Sequence, residues 1–143
     1  MKYTESKGRG VFCREHIASG EIIEVAPVFL FNEKDMEHVR ETSIKNYYFK
    51  ANDFSRNIYL WLNIGDSSKV ACLPMGITSF CNHLVDPNAS YEKAEEGMVP
   101  FFILKAVRDI PPDTEISINY GLSWFALRKD TEMFKKLNPG EKV

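Results

Sequence analysis

From Gly8 to Tyr120 the apolar residues come in short runs rich in branched and aromatic side chains, each closed by Gly, Pro, Asn, Asp or Ser. Such runs do not alternate with long helical patterns, so a parallel sheet built on crossover helices is excluded. Residues 8–31 read as strand, turn and strand, the turn falling at Ser19-Gly20. Tyr47–Phe49, Ile58–Ile64, Val70–Leu73, Met98–Val107 and Ile116–Tyr120 read as further strands, with Pro100 suggesting an edge or a bulge. Helical spacing occurs at two places. Asn32 can cap a helix over 33–43 that puts Met36, Val39 and Ile44 on one face, and a second helix is expected over Ser123–Leu137, ended by Asn138-Pro139-Gly140. The expected fold is mainly β with short helices.

The 143 residues fit a single domain over 1–143, large enough to bury roughly two-thirds of its unfolded surface. Eighteen basic against twenty acidic residues give a net charge of -2, which offers no broad field for direct nucleic-acid or membrane binding. The opening Met1-Lys-Tyr-Thr-Glu-Ser-Lys7 has no apolar core, and no apolar run is long enough to span a bilayer, so an intracellular, cytoplasmic protein is expected. Cys13, Cys72 and Cys81 are odd in number and widely spaced, which argues against a disulfide framework and a structural zinc site.

Three short segments carry chemistry. Gly8-Arg9-Gly10 lacks the further glycine of a phosphate loop and reads as a tight turn, or as a place where main chain approaches a ligand closely. Asn82-His83 and Pro87-Asn88 gather amides that are costly to bury unpaired; they read as two Asx-turns or as a binding site. Cys81, His83 and Asp86 are too close on one chain to converge as a thiol-hydrolase or metal set. His16 and His38 stand in polar surroundings. In Glu115-Ile-Ser-Ile-Asn-Tyr-Gly121 the alternation turns Ile116, Ile118 and Tyr120 to one side.

Taken together and in this order, Lys7-Gly-Arg-Gly-Val-Phe12 with Ile17 and Gly20-Glu21, Asn82-His83 with Pro87-Asn88, and Asp109–Gly121 resemble the SET domain of protein-lysine methyltransferases. The resemblance covers most of the chain, and 32–72 matches least. It implies several small β-sheets, with the Asn-His segment threaded under the Tyr-Gly segment in a knot-like crossing. It also implies S-adenosylmethionine as methyl donor, S-adenosylhomocysteine as product and no metal. Asn82 would hold the amino-acid part of the cofactor, the main chain of His83 would meet the adenine, and Lys7, Gly8, Arg9 and Gly10 would contribute main-chain contacts. Tyr120 would be catalytic, and Tyr91 and Tyr120 would line the lysine channel. Trp124 on the cofactor and Phe125 on the channel would supply a lid, or else pack a helix onto the core.

Two departures bear on this. Ala26 stands where many members have a channel tyrosine, and no cysteine follows Cys81 in these residues, so a compact form without the zinc segment that follows the Tyr-Gly motif in many members is expected. The expected activity is methyl transfer to a lysine of a protein or peptide, such as a histone tail or a basic ribosomal protein. The alternative is a SET-like module that binds peptides without catalysis. Glu92, Glu95 and Glu96 read as a solvated charged turn or as an acidic groove for a basic substrate.

Overall fold

A computed structural model describes residues 1–5, 7–121 and 124–125. Its elements are β1 (Lys2–Thr4), β2 (Gly8–Phe12), β3 (Ile22–Phe31), α1 (Glu33–Val39), β4 (Phe49–Lys50), α2 (Arg56–Trp61), β5 (Ala71–Pro74), β6 (Asn82–His83), β7 (Ala89–Glu96), β8 (Val99–Ala106) and β9 (Glu115–Ile118). Short 3-10 turns occupy Ser43–Asn46, Ser67–Lys69 and Ile77–Phe80. Apart from Trp124 and Phe125, the helix expected over Ser123–Leu137 lies outside the described residues. No described helix is long and apolar enough to cross a membrane. The fold is mainly β, in several sheets, and its residues form two compact units with interleaved segments: 1–21, 81–90 and 105 onward in the first, 22–80 and 91–104 in the second.

The first unit is built on a sheet of order β1-β2-β9-β6. β2 pairs antiparallel with β1 and β9, whereas β6 runs parallel to β9 with Asn82 opposite Ser117 and His83 opposite Ile118. Val11, Cys13, Cys81, Ile110, Ile116 and Ile118 are buried in this unit, each large aliphatic side chain contributing roughly 1.5–3 kcal/mol. Pro87-Asn88 does more than turn the chain. The Asn88 amide donates to the Glu115 carbonyl at 2.8 Å and accepts from the Ser117 amide at 2.9 Å, so its side chain serves β9 as a strand partner would. The expected Asx-turn at Asn82 is likewise replaced, because that residue is in β6.

The second unit carries a sheet of order β4-β5-β3-β8-β7. β3 and β5 pair antiparallel, Phe29 opposite Leu73 and Phe31 opposite Ala71. On this sheet Phe31 and Ala71 pack with Met36 and Val39 of α1. Asn32 caps α1 as its sequence predicts, in a reciprocal box with Asp35: Oδ1 accepts from the Asp35 amide at 2.9 Å, and the Asn32 amide donates back at 3.1 Å. The helix stops at Val39 rather than at 43, because the Thr42 hydroxyl donates to the Val39 carbonyl and accepts from the Ile44 amide, which starts a 3-10 turn.

Ile58–Ile64, expected as a strand, is instead occupied by α2 and the residues that end it. Ile58 and Tyr59 are buried while Leu60 and Trp61 are exposed, a one-sided helix that a continuous apolar run conceals. The Tyr59 hydroxyl fixes the approach by accepting from the Phe54 amide and donating to the Ala51 carbonyl. Pro100 is not on an edge strand: β8 lies between β3 and β7, and Pro100 is its second residue, near a strand end where a missing N–H costs least. Glu92, Glu95 and Glu96 belong to edge strand β7 rather than to a turn.

Candidate active site

Within the first unit, the parallel pairing of β6 with β9 brings Asn82 and His83 beside the segment that ends in Tyr120. Leu84 continues the ladder, donating to the Ile118 carbonyl at 3.0 Å. His83 is buried, and its Nδ1 accepts from the Tyr120 amide at 3.1 Å. An N–H can only donate, so Nδ1 is bare and the imidazole is neutral with its hydrogen on Nε2. The Tyr120 hydroxyl donates to the Cys81 carbonyl at 2.7 Å. Its proton is thereby held by main chain. The His83, Trp124 and Phe125 rings surround Tyr120, with centroids 5.3, 4.7 and 6.3 Å away.

Lys7 and the opening of β2 meet this strand pair: Gly8-Arg9-Gly10, expected as a tight turn, is instead strand, paired with β1. Lys7 Nζ donates to the His83 carbonyl at 3.0 Å, and the Arg9 carbonyl accepts from Asn82 Nδ2 at 3.1 Å. Nδ2 also donates to Glu115 Oε1 at 2.7 Å. Gly10 permits this crowding: a Cβ there would lie 2.5 Å from Glu115 Oε1 and 3.1 Å from Asn82 Nδ2. Gly8 opens the strand at a φ of 74°, where a side chain would be strained. Lys7, Gly8, Arg9, Gly10, Asn82, His83, Tyr120, Trp124 and Phe125 thus all belong to one unit.

Tyr91, expected in the channel, lies in the second unit, stacked on Phe102 at 5.0 Å and edge-on to Phe49 at 4.9 Å. Burial, with the Cys72 and Asp53 charges second, raises its phenol above the ordinary range. Ala26 of the same unit is buried. Of the Cys81, His83 and Asp86 trio, the first two are buried while Asp86 is exposed and paired with Arg108, whose guanidinium holds the carboxyl below its ordinary value. Among the described residues no group of His, Cys, Asp and Glu could hold a metal ion. Sequence reasoning missed Glu115 and the Cys81 carbonyl. A carboxylate at the end of a polar turn looks solvated, and a main-chain acceptor leaves no trace in residue type.

Residues 8–121 match the SET domain family. The chain belongs to that family. This SET domain is 28% identical over 143 residues to a histone-lysine N-methyltransferase of Schizosaccharomyces pombe named as H3 lysine-37 specific, a match that takes in 99% of this chain and 84% of the relative. It is 33% identical over 132 residues to a variant-silencing SET domain-containing protein of Plasmodium falciparum, covering 87% of this chain but 5% of that much longer protein. Among solved structures it resembles a Plasmodium falciparum protein described as a candidate histone methyltransferase, with a TM-score of 0.62, 26% identity, and coverage of 87% of this chain and 93% of that one. The Neurospora SET domain protein, a histone lysine methyltransferase, shares the fold with a TM-score of 0.62 at 22% identity, over 83% of this chain and 50% of that one.

The donor set of the SET site fits an adenosyl cofactor with an amino-acid arm. Both hydrogens of the Asn82 amide are committed to chain acceptors, which leaves Oδ1 to receive an ammonium. The His83 carbonyl accepts from Lys7 Nζ and is a main-chain acceptor of the kind an exocyclic amine requires.

Proposed function

We propose that this SET domain transfers a methyl group from S-adenosylmethionine to the side-chain amine of a lysine in a basic protein substrate, with a histone H3 tail as the first to test. Protein-lysine methyl transfer accords with the family and with relatives named as histone-lysine methyltransferases. The observation that carries the reading is the Tyr120 hydroxyl, bonded through its proton to the Cys81 carbonyl beside Asn82 and His83.

The cofactor supplies a methyl group on a positively charged sulfur. The chain must present a neutral amine in line with it. Neutralising a lysine at pH 7 costs about 4 to 5 kcal/mol from a reference pKa near 10.4. An aromatic surround such as Tyr120, Trp124 and Phe125 lowers that cost by disfavouring the ammonium, and a cationic neighbour lowers it again. Tyr120 then orients the amine through its oxygen lone pairs, and alignment supplies the remaining advantage. No strong base is required, because the excess proton leaves the lysine for water before transfer. Asn82, His83, Lys7 and the Gly8–Gly10 opening of β2 hold the cofactor. A module that only bound peptides would have no use for a bonded tyrosine hydroxyl beside a poised amide.

The test is calorimetric titration with S-adenosylmethionine, followed by transfer of a labelled methyl group to recombinant histone H3 and to a basic ribosomal protein. Saturable one-site binding and label on a lysine are expected. Folded protein that neither binds the cofactor nor labels either substrate contradicts the proposal.

A further inference from the structure

We propose that Glu115 is a positioning residue that points Asn82 at the amino-acid arm of the cofactor and strengthens its hold on the ammonium of that arm; this rests on the S-adenosylmethionine reading above. The Asn82 amide has two N–H donors and one oxygen. Its nitrogen lies 2.7 Å from Glu115 Oε1 and 3.1 Å from the Arg9 carbonyl, two groups that can only accept. The opposite orientation would set Oδ1 against a carboxylate and a carbonyl, two repulsive contacts in place of two bonds. The amide is thereby locked with Oδ1 turned outward, and among the described residues nothing donates to it.

Glu115 is itself held in place. It opens β9 opposite Phe12, and its carbonyl accepts from Asn88 Nδ2 at 2.8 Å. Gly10 leaves the carboxylate its room, since a Cβ would intrude to 2.5 Å from Oε1. A negative charge one hydrogen bond behind Asn82 makes the amide oxygen a better acceptor for an ammonium and favours a ligand that carries one over a ligand that lacks it. The group recognised is therefore the ammonium of the amino-acid arm, and the adenosine part is bound by other residues.

Wild type, E115Q and E115A are titrated with S-adenosylmethionine, S-adenosylhomocysteine and 5′-methylthioadenosine, the last of which keeps the adenosine and the thioether but lacks the arm. E115A is expected to lose about ten-fold or more in affinity for the two ligands with the arm and to bind methylthioadenosine as wild type does. E115Q, which keeps an acceptor oxygen but not the charge, should fall between. An equal loss for all three ligands would mean that Glu115 only supports the fold, and no loss for any would mean that Asn82 is held without it; either result overturns the proposal. Wild type that binds S-adenosylhomocysteine no better than methylthioadenosine also overturns it. Folded wild type that binds none of them removes the cofactor reading itself, a separate failure.

Discussion

The main-chain amide of Tyr120 donates to Nδ1 of His83 at 3.1 Å, so the residue proposed as catalytic is tied through its backbone to the side chain of the cofactor strand. Replacing His83 by Leu fills the space but takes its acceptor from a partly buried N–H, at about 1 kcal/mol. His83→Asn can put Oδ1 where Nδ1 stood. His83→Asn is therefore expected to keep more turnover than His83→Leu, although packing alone favours the leucine. Single-turnover rates at saturating cofactor, with urea midpoints for both variants, check this; a more active leucine variant would refute it.

Tyr120→Phe removes the hydroxyl that donates to the Cys81 carbonyl and keeps the ring against His83 and Trp124. The stability loss should be small, about 1 kcal/mol for one hydrogen bond. Methyl transfer should fall about a hundred-fold or more, because the amine loses its orienting oxygen, while cofactor affinity changes little. Near wild-type transfer by a folded variant would take Tyr120 out of the mechanism.

Glu24 is a clamp in the second unit. Its carboxylate accepts from the Ile77 amide at 2.7 Å and from the amide and hydroxyl of Thr78 at 2.9 and 2.6 Å, pinning the turn that precedes Cys81. All three partners donate, so Gln, whose amide nitrogen must face one of them, loses bonds and gains a repulsive contact. We expect Glu24→Gln to cost about 2 kcal/mol. Gly76→Ala should cost as much, since its Cβ would run into the same carboxylate. Because both act on one clamp, the double variant should lose less than the sum. Urea unfolding of all four proteins gives the coupling, and strict additivity would count against the clamp.

What the sequence revealed and concealed follows from the range of each interaction. β2, β3, β8 and β9 were legible because branched residues and turn residues mark them locally, and Asn32 announced its helix through a box closed three residues later. Ile58–Ile64 misled because an apolar run has no period to read, and the bonds that fix its approach come from the Tyr59 hydroxyl reaching back to Ala51 and Phe54. β7 was hidden by its exposed glutamates, which suit an edge strand as well as a turn. The site residues Asn82, His83 and Tyr120 came from motif order. Glu115 could not, because its role appears only when Gly10 and Asn82 are brought against it from distant parts of the chain.

Cys72 is fully buried in the second unit, its Sγ 3.5 Å from the Lys50 carbonyl, and burial pushes its thiol up to about 12 against a smaller opposing pull from Lys93. Native protein should therefore resist alkylation of this thiol near pH 8, while urea-unfolded protein reacts. The linkage has a definite sign. Above about pH 9 the unfolded thiol ionises and the native one does not, so the unfolded state binds fewer protons and stability falls as pH rises toward 12, by up to about 1.4 kcal/mol per pH unit. Tyr59 and Tyr91, also raised by burial, add to the fall. Cys72→Ala removes only the thiol's part, so its urea midpoint should drop less between pH 8 and pH 10 than that of wild type. Equal drops in the two proteins would show that the native thiol ionises as readily as the unfolded one.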